Sequence, residues 1–247
     1  MNRVLLTAAS LVIVAGTAAA QDLTGAGSTF AAPIYNKWPD AYAKLTGVKI
    51  NYASVGSGAG IRQISEMTVE FGGTDGPMTD EQIAAAKGGA ILHIPTVIGA
   101  VAMSYNLPGI KAPLKFDGPL IVDIYLGEVT KWNDPRMAAL NPGVALPSIP
   151  LVVVHRSDGS GTTYIVTDYL SSVSPEWAKA VGKSTAVQWP VGLGAKGNEG
   201  VAGQIRQIEG AFGYVELAYV LTNHMAYGLV RNKAGHWVAP SLEGDAD

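Results

Sequence analysis

The feature that most constrains this chain is a strand that leads into a turn rich in glycines and hydroxyls, and then into a helix. The apolar run Ile149–Val154 precedes the turn Arg156–Thr162, and Tyr164–Leu170 is the predicted helix. The first turn of a helix carries N–H groups without intrahelical partners and a partial positive charge. Glycines let a ligand approach the backbone, and the planar fork of Arg156 matches a tetrahedral oxyanion. The stretch therefore predicts either an anion site or an ordinary capped turn.

Two similar junctions occur nearer the N terminus. Leu23–Phe30 places two hydroxyls among glycines before a predicted helix, and Ser54–Gly60 places Ser57 among glycines after the predicted strand Val48–Tyr52. In open α/β sheets such junctions gather beyond the carboxyl ends of the strands. We therefore expect the three junctions to form one ring of donors, in which Arg156 supplies the full positive charge. The expected donors are Thr29, Phe30 through its N–H, Ser57, Arg156, Ser160, Gly161 and Thr162.

Two carboxylates accompany these donors, although a carboxylate repels an anion. An anion that carries a proton needs an acceptor, and phosphate keeps a proton at neutral pH whereas sulfate keeps none. We hypothesise that Asp75, in the turn-rich segment Phe71–Pro77, accepts from a phosphate O–H, and that Asp158 mainly orients Arg156. The alternatives are a turn-capping role for Asp75 before Gly76 and helix capping by Asp158.

Strands and helices alternate along the chain, which favours the α/β class. The apolar run Val97–Met103 predicts a central buried strand, and Ala186–Pro190 predicts a short one. Apolar residues recur at helical spacing from Phe30 to Leu45, which predicts a helix with one apolar face that Pro39 kinks or divides.

The first residues have the pattern of an export signal. In Met1–Ala20, Arg3 precedes a mostly apolar stretch that ends in Ala18–Ala20. We expect cleavage after Ala20 and a periplasmic protein. The 247 residues contain no cysteine, which argues against disulfides, a thiol nucleophile, zinc sites built on cysteine and a lipid-anchored N terminus.

The charge balance and the remaining motifs favour neither nucleic-acid binding nor a cofactor. The net charge is −3, which offers no attraction to a polyanion but leaves a small anion possible. Gly192–Gly197 matches the pattern G-x-G-x-x-G, yet no clear βαβ unit surrounds it, so a structural loop is expected. The four histidines show no metal-ligand spacing; they are His93, His155, His224 and His236.

A hydrolytic triad is the enzymatic alternative. Ser160, His155 and Asp158 are the required residue types, but no glycine stands two residues before the serine, as a nucleophile elbow requires. We therefore expect a protein without catalysis.

Six segments in the same order carry a family resemblance: Thr24–Phe30, Gly56–Gly58, Phe71–Pro77, Asp123–Gly127, Arg156–Thr162 and Trp189–Asn198. They resemble the periplasmic phosphate-binding protein of the ABC-type phosphate importer. The resemblance implies a two-lobed, hinged periplasmic-binding-protein fold of type II, with phosphate desolvated in the cleft. It also implies a monomer that hands phosphate to a membrane permease. The implied phosphate contacts are Thr29, Phe30, Ser57, Asp75, Arg156, Ser160, Gly161 and Thr162, supported by Asp158.

The resemblance also suggests a division into lobes. We expect a first lobe at 21–96, a second at 97–232, and a hairpin at 233–247 that begins a return to the first. Family members continue beyond the position of Asp247, so the first lobe is expected to be incomplete and to leave apolar surface uncovered. The alternatives for function are a binder of sulfate or molybdate and, less favoured, a phosphatase or esterase that uses Ser160.

Overall fold

The computed structural model describes residues 22–241, so the predicted signal peptide lies outside the described residues. Within them, two groups of strands and helices are built on separate sheets. We call residues 23–84 the small lobe and residues 101–238 the large lobe. The observed class is mixed α/β, as predicted.

The small lobe is a parallel three-stranded sheet, in the order β2-β1-β3, with helices between the strands. Its elements are β1 (Leu23–Gly27), α1 (Ala32–Tyr35), α2 (Trp38–Thr46), β2 (Ile50–Ser54), α3 (Ser57–Ser65), β3 (Phe71–Gly73) and α4 (Asp80–Ala84). Pro39 lies in the first turn of α2, and the predicted break separates α1 from α2. β3 occupies the start of the segment Phe71–Pro77, which was predicted to be rich in turns.

The large lobe contains a mixed five-stranded sheet, in the order β7-β6-β8-β4-β9, and a small sheet in the order β11-β10-β5. Its elements are β4 (Val101–Tyr105), β5 (Lys115–Phe116), α5 (Gly118–Leu126), α6 (Pro135–Leu140), β6 (Val152–Arg156), α7 (Gly161–Val173), α8 (Pro175–Ala180), β7 (Leu193–Ala195), α9 (Gly197–Gln207), β8 (Ala211–Glu216), α10 (Leu217–Thr222), β9 (Ala226–Tyr227), β10 (Leu229–Arg231) and β11 (Trp237–Val238).

The hydrophobic core lies mainly in the large lobe. Strand β8 is buried along its whole length, because β6 and β4 flank it and helices cover it. Large rings fill the space around it, and fully buried aromatic side chains contribute most to such cores. The largest fully buried rings are Trp132, Trp177, Tyr125, Tyr214, Phe116 and Phe212.

Two strand predictions were wrong in position. Strand β4 begins at Val101 rather than at Val97, because its partner β8 ends at Glu216, which pairs with Val101. The predicted strand at 186–190 is irregular, and Pro190 has no N–H to give to a sheet. The strand of this region is β7, which pairs in parallel with β6.

Apolar side chains are exposed in the small lobe and in the stretch that follows it. Helix α2 has no buried side chain, and Leu45 is 85% exposed. In the irregular stretch before β4, Leu92 is 81% and Ile98 is 76% exposed. The small lobe thus has much less core to stabilise it than the large lobe.

Helix α3 lies close to the sheet of the small lobe at Gly60. A Cβ at this position would lie 2.6 Å from Cα of Gly27, 2.7 Å from the carbonyl oxygen of Ala26 and 2.8 Å from that of Gly73. These atoms belong to the backbone of β1 and β3, so they cannot make room for a side chain without disturbing the sheet. In α9, by contrast, a Cβ at Gly203 would meet nothing within 4 Å.

We therefore predict opposite effects for two glycine-to-alanine changes inside helices. Gly60→Ala should lower the free energy of unfolding by about 1–3 kcal/mol through overpacking. The control Gly203→Ala should raise it by up to about 1 kcal/mol, because alanine favours the helix. Urea unfolding followed by circular dichroism measures both, and equal shifts would contradict the close packing of α3.

Candidate oxyanion site between the lobes

The three predicted junctions meet between the lobes. The residues predicted to donate to a ligand lie at the ends of β1, β2 and β6 or in the turns that follow them. Each turn stands at the carboxyl end of its strand. The backbone N–H of Gly58 donates to the carbonyl oxygen of Gly159 at 2.9 Å, which joins the second junction to the third. The hydroxyl residues are almost fully buried: Thr29 is 2% exposed, and Ser57, Ser160 and Thr162 are 0% exposed.

Arg156 and Asp158 form a buried, two-point ion pair. Nε and Nη2 of Arg156 donate to the two carboxylate oxygens of Asp158 at 2.7 and 2.6 Å. The backbone N–H of Gly197 donates to Asp158 Oδ1 at 3.1 Å. Burial raises the pKa of Asp158, but the hydrogen bonds and charge of Arg156 outweigh it and hold this pKa below its usual value. The expected pairing is present, and it uses two of the five donors of the guanidinium.

Asp75 lies on the opposite side of the cleft, directly against the start of α7. A Cβ at Gly161 would lie 2.3 Å from Asp75 Oδ2, so only glycine allows this approach. The hydroxyl of Ser28 donates to Asp75 Oδ1, and the backbone N–H of Asp75 donates to Ser57 Oγ at 3.4 Å. Burial raises the pKa of Asp75 to about 6, although Ser28, Arg156 and Ser57 act to lower it. At neutral pH it is therefore mainly an acceptor.

Ser160 begins α7 as its N-cap. Its Oγ accepts from the backbone N–H of Thr163 at 3.0 Å. The backbone N–H of Thr162, also in the first turn, donates to Asp75. The side chain of Phe30 is half-buried and lines a cavity of about 300 Å³ that Asp75 and Ile165 also line. All nine predicted residues thus lie at the contact between the lobes, whereas their contacts with a ligand stay a prediction.

The sequence prediction missed Asn198, which is 0% exposed and lies in the first turn of α9. Its Nδ2 donates to Oγ1 of Thr29 at 2.9 Å and to Oγ1 of Thr162 at 3.1 Å. The hydroxyl of Tyr219, also missed, donates to the carbonyl oxygen of Thr29 at 2.7 Å. Asn198 ends one of the segments that carry the family resemblance, but only the tertiary structure shows which residues of that segment reach the cleft.

Ser28 was missed for a similar reason. It precedes Thr29 in the first junction and has the same hydroxyl chemistry, so the sequence pattern alone does not separate their roles. In the structure Ser28 holds Asp75, and its Oγ accepts from the backbone N–H of Ala31 at 3.1 Å.

The other motifs have structural roles. The glycine loop at Gly192–Gly197 forms β7 and supplies the N–H that binds Asp158. His155 stacks on Trp189 with ring centroids 5.0 Å apart, and its Nδ1 lies 3.0 Å from the carbonyl oxygen of Arg156. Ser160 and His155 are therefore engaged with other groups rather than with each other.

Among residues 22–241, no helix is long and apolar enough to cross a membrane. The same residues contain no group of three or more His, Cys, Asp or Glu arranged to hold a metal ion.

The two α/β lobes with a buried ring of donors between them define the class of the protein: a solute-binding protein. In agreement, a family model described as PBP superfamily domain matches residues 14–245. The chain is 48% identical over 243 residues to the phosphate-binding protein PstS of Pasteurella multocida, covering 98% of this chain and 70% of that protein. The chain belongs to this PstS family within the PBP superfamily.

Two further comparisons agree. The chain is 48% identical over 225 residues to the phosphate-binding protein PstS of Xylella fastidiosa, which covers 91% of this chain but 61% of that protein. It therefore spans about two thirds of the length of these relatives. The solved structure of PfluDING, a high affinity periplasmic phosphate-binding protein with bound phosphate, superposes with a TM-score of 0.68 at 19% identity. It covers 90% of this chain and 66% of that one, and shows the shared fold.

The buried carboxyl of Asp75 predicts a pH dependence of stability. Its pKa is raised from 3.8 to about 6 in the folded protein. The contribution of this group to stability is therefore fully present below pH 4 and is lost as the pH rises through 6. Relative to Asp75→Asn, the wild-type free energy of unfolding should fall by roughly 2–3 kcal/mol between pH 4 and pH 7. Denaturant unfolding at several pH values measures this difference, and a constant difference would contradict the raised pKa.

Proposed function

We propose that this chain captures inorganic phosphate between its lobes and delivers it to the permease of an ABC-type importer. The observation that carries the proposal is the combination of one paired guanidinium, several buried neutral donors and one buried carboxylate at the same cleft. The donors and the guanidinium suit a tetrahedral oxyanion. The carboxylate suits an oxyanion that still carries a proton.

The proposed roles follow from chemistry and position. The N–H groups of Phe30 and Gly161 would donate from the starts of helices, as would the hydroxyls of the ring. Arg156 would supply the charge, held in place by Asp158. Asp75 would accept from the phosphate O–H. The proposed contacts are Thr29, Phe30, Ser57, Asp75, Arg156, Ser160, Gly161 and Thr162.

Asp75 also supplies the basis for discrimination. Phosphate keeps at least one proton at neutral pH, so it can satisfy the buried carboxylate with an O–H donor. Sulfate has no proton and would face an unpaired, repelling charge in a dry cleft. A buried group left unpaired in this way typically gives large selectivity. We therefore favour phosphate over sulfate or molybdate, which are the alternative ligands.

Further parts of the proposal rest on the family resemblance. The two lobes would open and close about a hinge, with one crossing near the proposed boundary 96/97. The second crossing, expected after Arg231, would follow Val238 rather than lie at 232/233, because β10 and β11 pair within the large lobe. The mature protein would act as a monomer in the periplasm after cleavage behind Ala20. It would bind phosphate without a cofactor and would not catalyse a reaction. Wild type and Ser160→Ala should therefore show the same absence of phosphatase and esterase activity.

Removing the guanidinium should greatly weaken phosphate binding. We expect Arg156→Ala to lower the affinity by roughly 100-fold or more, about 3 kcal/mol, because it removes a charge-assisted donor. Isothermal titration with phosphate measures this. The matched control is Arg136→Ala, which removes a half-exposed arginine that pairs with Asp123 and Asp134 on the surface. Equal losses in both variants would contradict the proposed site.

Replacing the buried carboxylate should reduce selectivity rather than abolish binding. In Asp75→Asn, the preference for phosphate over sulfate should fall by at least about tenfold, because the repelling charge is gone. Competition titrations with both anions measure this ratio. The control is Asp168→Asn, at an exposed carboxylate paired with Lys183. If sulfate already competed equally with phosphate in the wild type, the role of Asp75 would be wrong.

A further inference from the structure

Asn198 connects the two lobes inside the cleft. Besides the two bonds from Nδ2, its backbone N–H donates to Thr29 Oγ1 at 3.2 Å. Its Oδ1 accepts from the backbone N–H of Glu216 at 3.0 Å. Thr29 belongs to the small lobe, whereas Thr162 and Asn198 itself belong to the large lobe. The side-chain amide therefore donates its two hydrogens to two hydroxyls, which come from opposite sides of the cleft.

The backbone of β8 sets the orientation of this amide. The N–H of Glu216 is a donor and requires an acceptor, so Oδ1 must face it. The opposite orientation would place two donors against each other in a fully buried position. With Oδ1 held by Glu216, both hydrogens of Nδ2 point to the threonines.

This arrangement determines what the two hydroxyls can do. A threonine hydroxyl has one hydrogen to donate and two lone pairs that accept. Thr29 Oγ1 already accepts two N–H groups, and Thr162 Oγ1 accepts one. Asn198 presents only N–H groups to these two hydroxyls, so neither hydroxyl can donate its hydrogen to Asn198. Each hydrogen is directed elsewhere, where an acceptor atom of a ligand can receive it.

We infer that Asn198 is a positioning residue that makes Thr29 and Thr162 hydrogen-bond donors, and so adapts this part of the cleft to an anion. The inference rests on the proposed function, since it concerns the same site. Thr29 and Asn198 lie in different lobes, so they bond to each other only across the contact between the lobes. The orientation of the Thr29 hydroxyl is therefore linked to closure of the cleft.

A first experiment tests the arrangement without any ligand. In protein labelled with ¹⁵N-asparagine, the side-chain amide signals of Asn198 are assigned by their loss in Asn198→Ala. Thr162→Ala should shift one of the two Nδ2 proton signals and speed its exchange with water, and Thr29→Ala should do the same to the other. The signals of Asn141, a buried asparagine bonded to Lys115 and Met137, serve as the internal control. If neither threonine variant affected Asn198, the inference would be wrong.

A second experiment tests the consequence for binding. Aspartate at this position offers acceptors only, so Asn198→Asp should turn the hydroxyls inward and lower phosphate affinity by about 30-fold or more. In a Thr162→Ala background, where one hydroxyl is absent, the same change should cost at least about fivefold less. If the affinity losses of Asn198→Asp and Thr162→Ala simply multiplied in the double variant, the cause would be charge repulsion. That result would overturn the inference.

Two further variants guard against loss of folding as the cause. Asn198→Ala removes the donors without adding charge, and its loss of phosphate affinity should also be smaller in the Thr162→Ala background. Asn141→Ala removes a buried amide that bonds to Lys115 and Met137 rather than to any residue of the cleft. It should leave phosphate affinity within about twofold of wild type in the folded protein.

The outcomes separate the inference from the proposed function. A wild-type protein with the expected amide signals that binds sulfate but not phosphate would contradict the phosphate proposal and support the role of Asn198. If the wild-type protein bound phosphate but neither threonine variant changed the Asn198 amide signals, the phosphate proposal would be supported and the role of Asn198 contradicted.

Discussion

A buried guanidinium is costly unless a carboxylate pairs with it, and the rest of the cleft depends on the pair of Arg156 and Asp158. Asp158 also accepts the N–H of Gly197, which places the start of α9 and therefore Asn198. The small lobe meets the same pair through Gly56, where a Cβ would lie 2.4 Å from Asp158 Oδ2 and φ is +91°. One charge pair thus connects the end of β6, the start of α9 and the contact between the lobes.

The two carboxylates of the cleft behave differently because their partners differ. Asp158 receives two short bonds from a cation, and its pKa stays low despite burial. Asp75 receives a neutral hydroxyl, and burial dominates its pKa. The first is satisfied by a cation within the protein, whereas the second has neutral donors, among them Ser28 and the backbone N–H of Thr162. Under the proposed function, this difference is the reason why the site would prefer an anion that carries a proton.

The two lobes contribute unequally to this arrangement. The large lobe surrounds its sheet with a continuous core of buried aromatic and aliphatic side chains, so its half of the site stands on a rigid base. The small lobe buries few large side chains and exposes Leu45 and Trp38. Its half of the site depends on close backbone packing at Gly60 and on bonds to the large lobe. In the proposed hinge motion, this lobe would move as a unit relative to its partner.

The sequence by itself determined the parts that depend on local geometry. The junctions at Thr29, Ser57 and Ser160 were predicted because strand, glycine, hydroxyl and helix follow one another along the chain. The pairing of Arg156 with Asp158 was predicted because the two residues are two positions apart. The break between α1 and α2 followed for the same reason, since Pro39 restricts the helical turn that contains it.

Only the tertiary structure decided the contacts between distant parts of the chain. Asn198 and Thr29 are 169 residues apart, and no local pattern marks an asparagine that will meet two threonines. The start of β4 depended on where β8 ends, and the exposure of the apolar face of α2 depended on what packs against it. Pairing and burial are settled by the whole fold, because each strand or helix takes its place only relative to its neighbours.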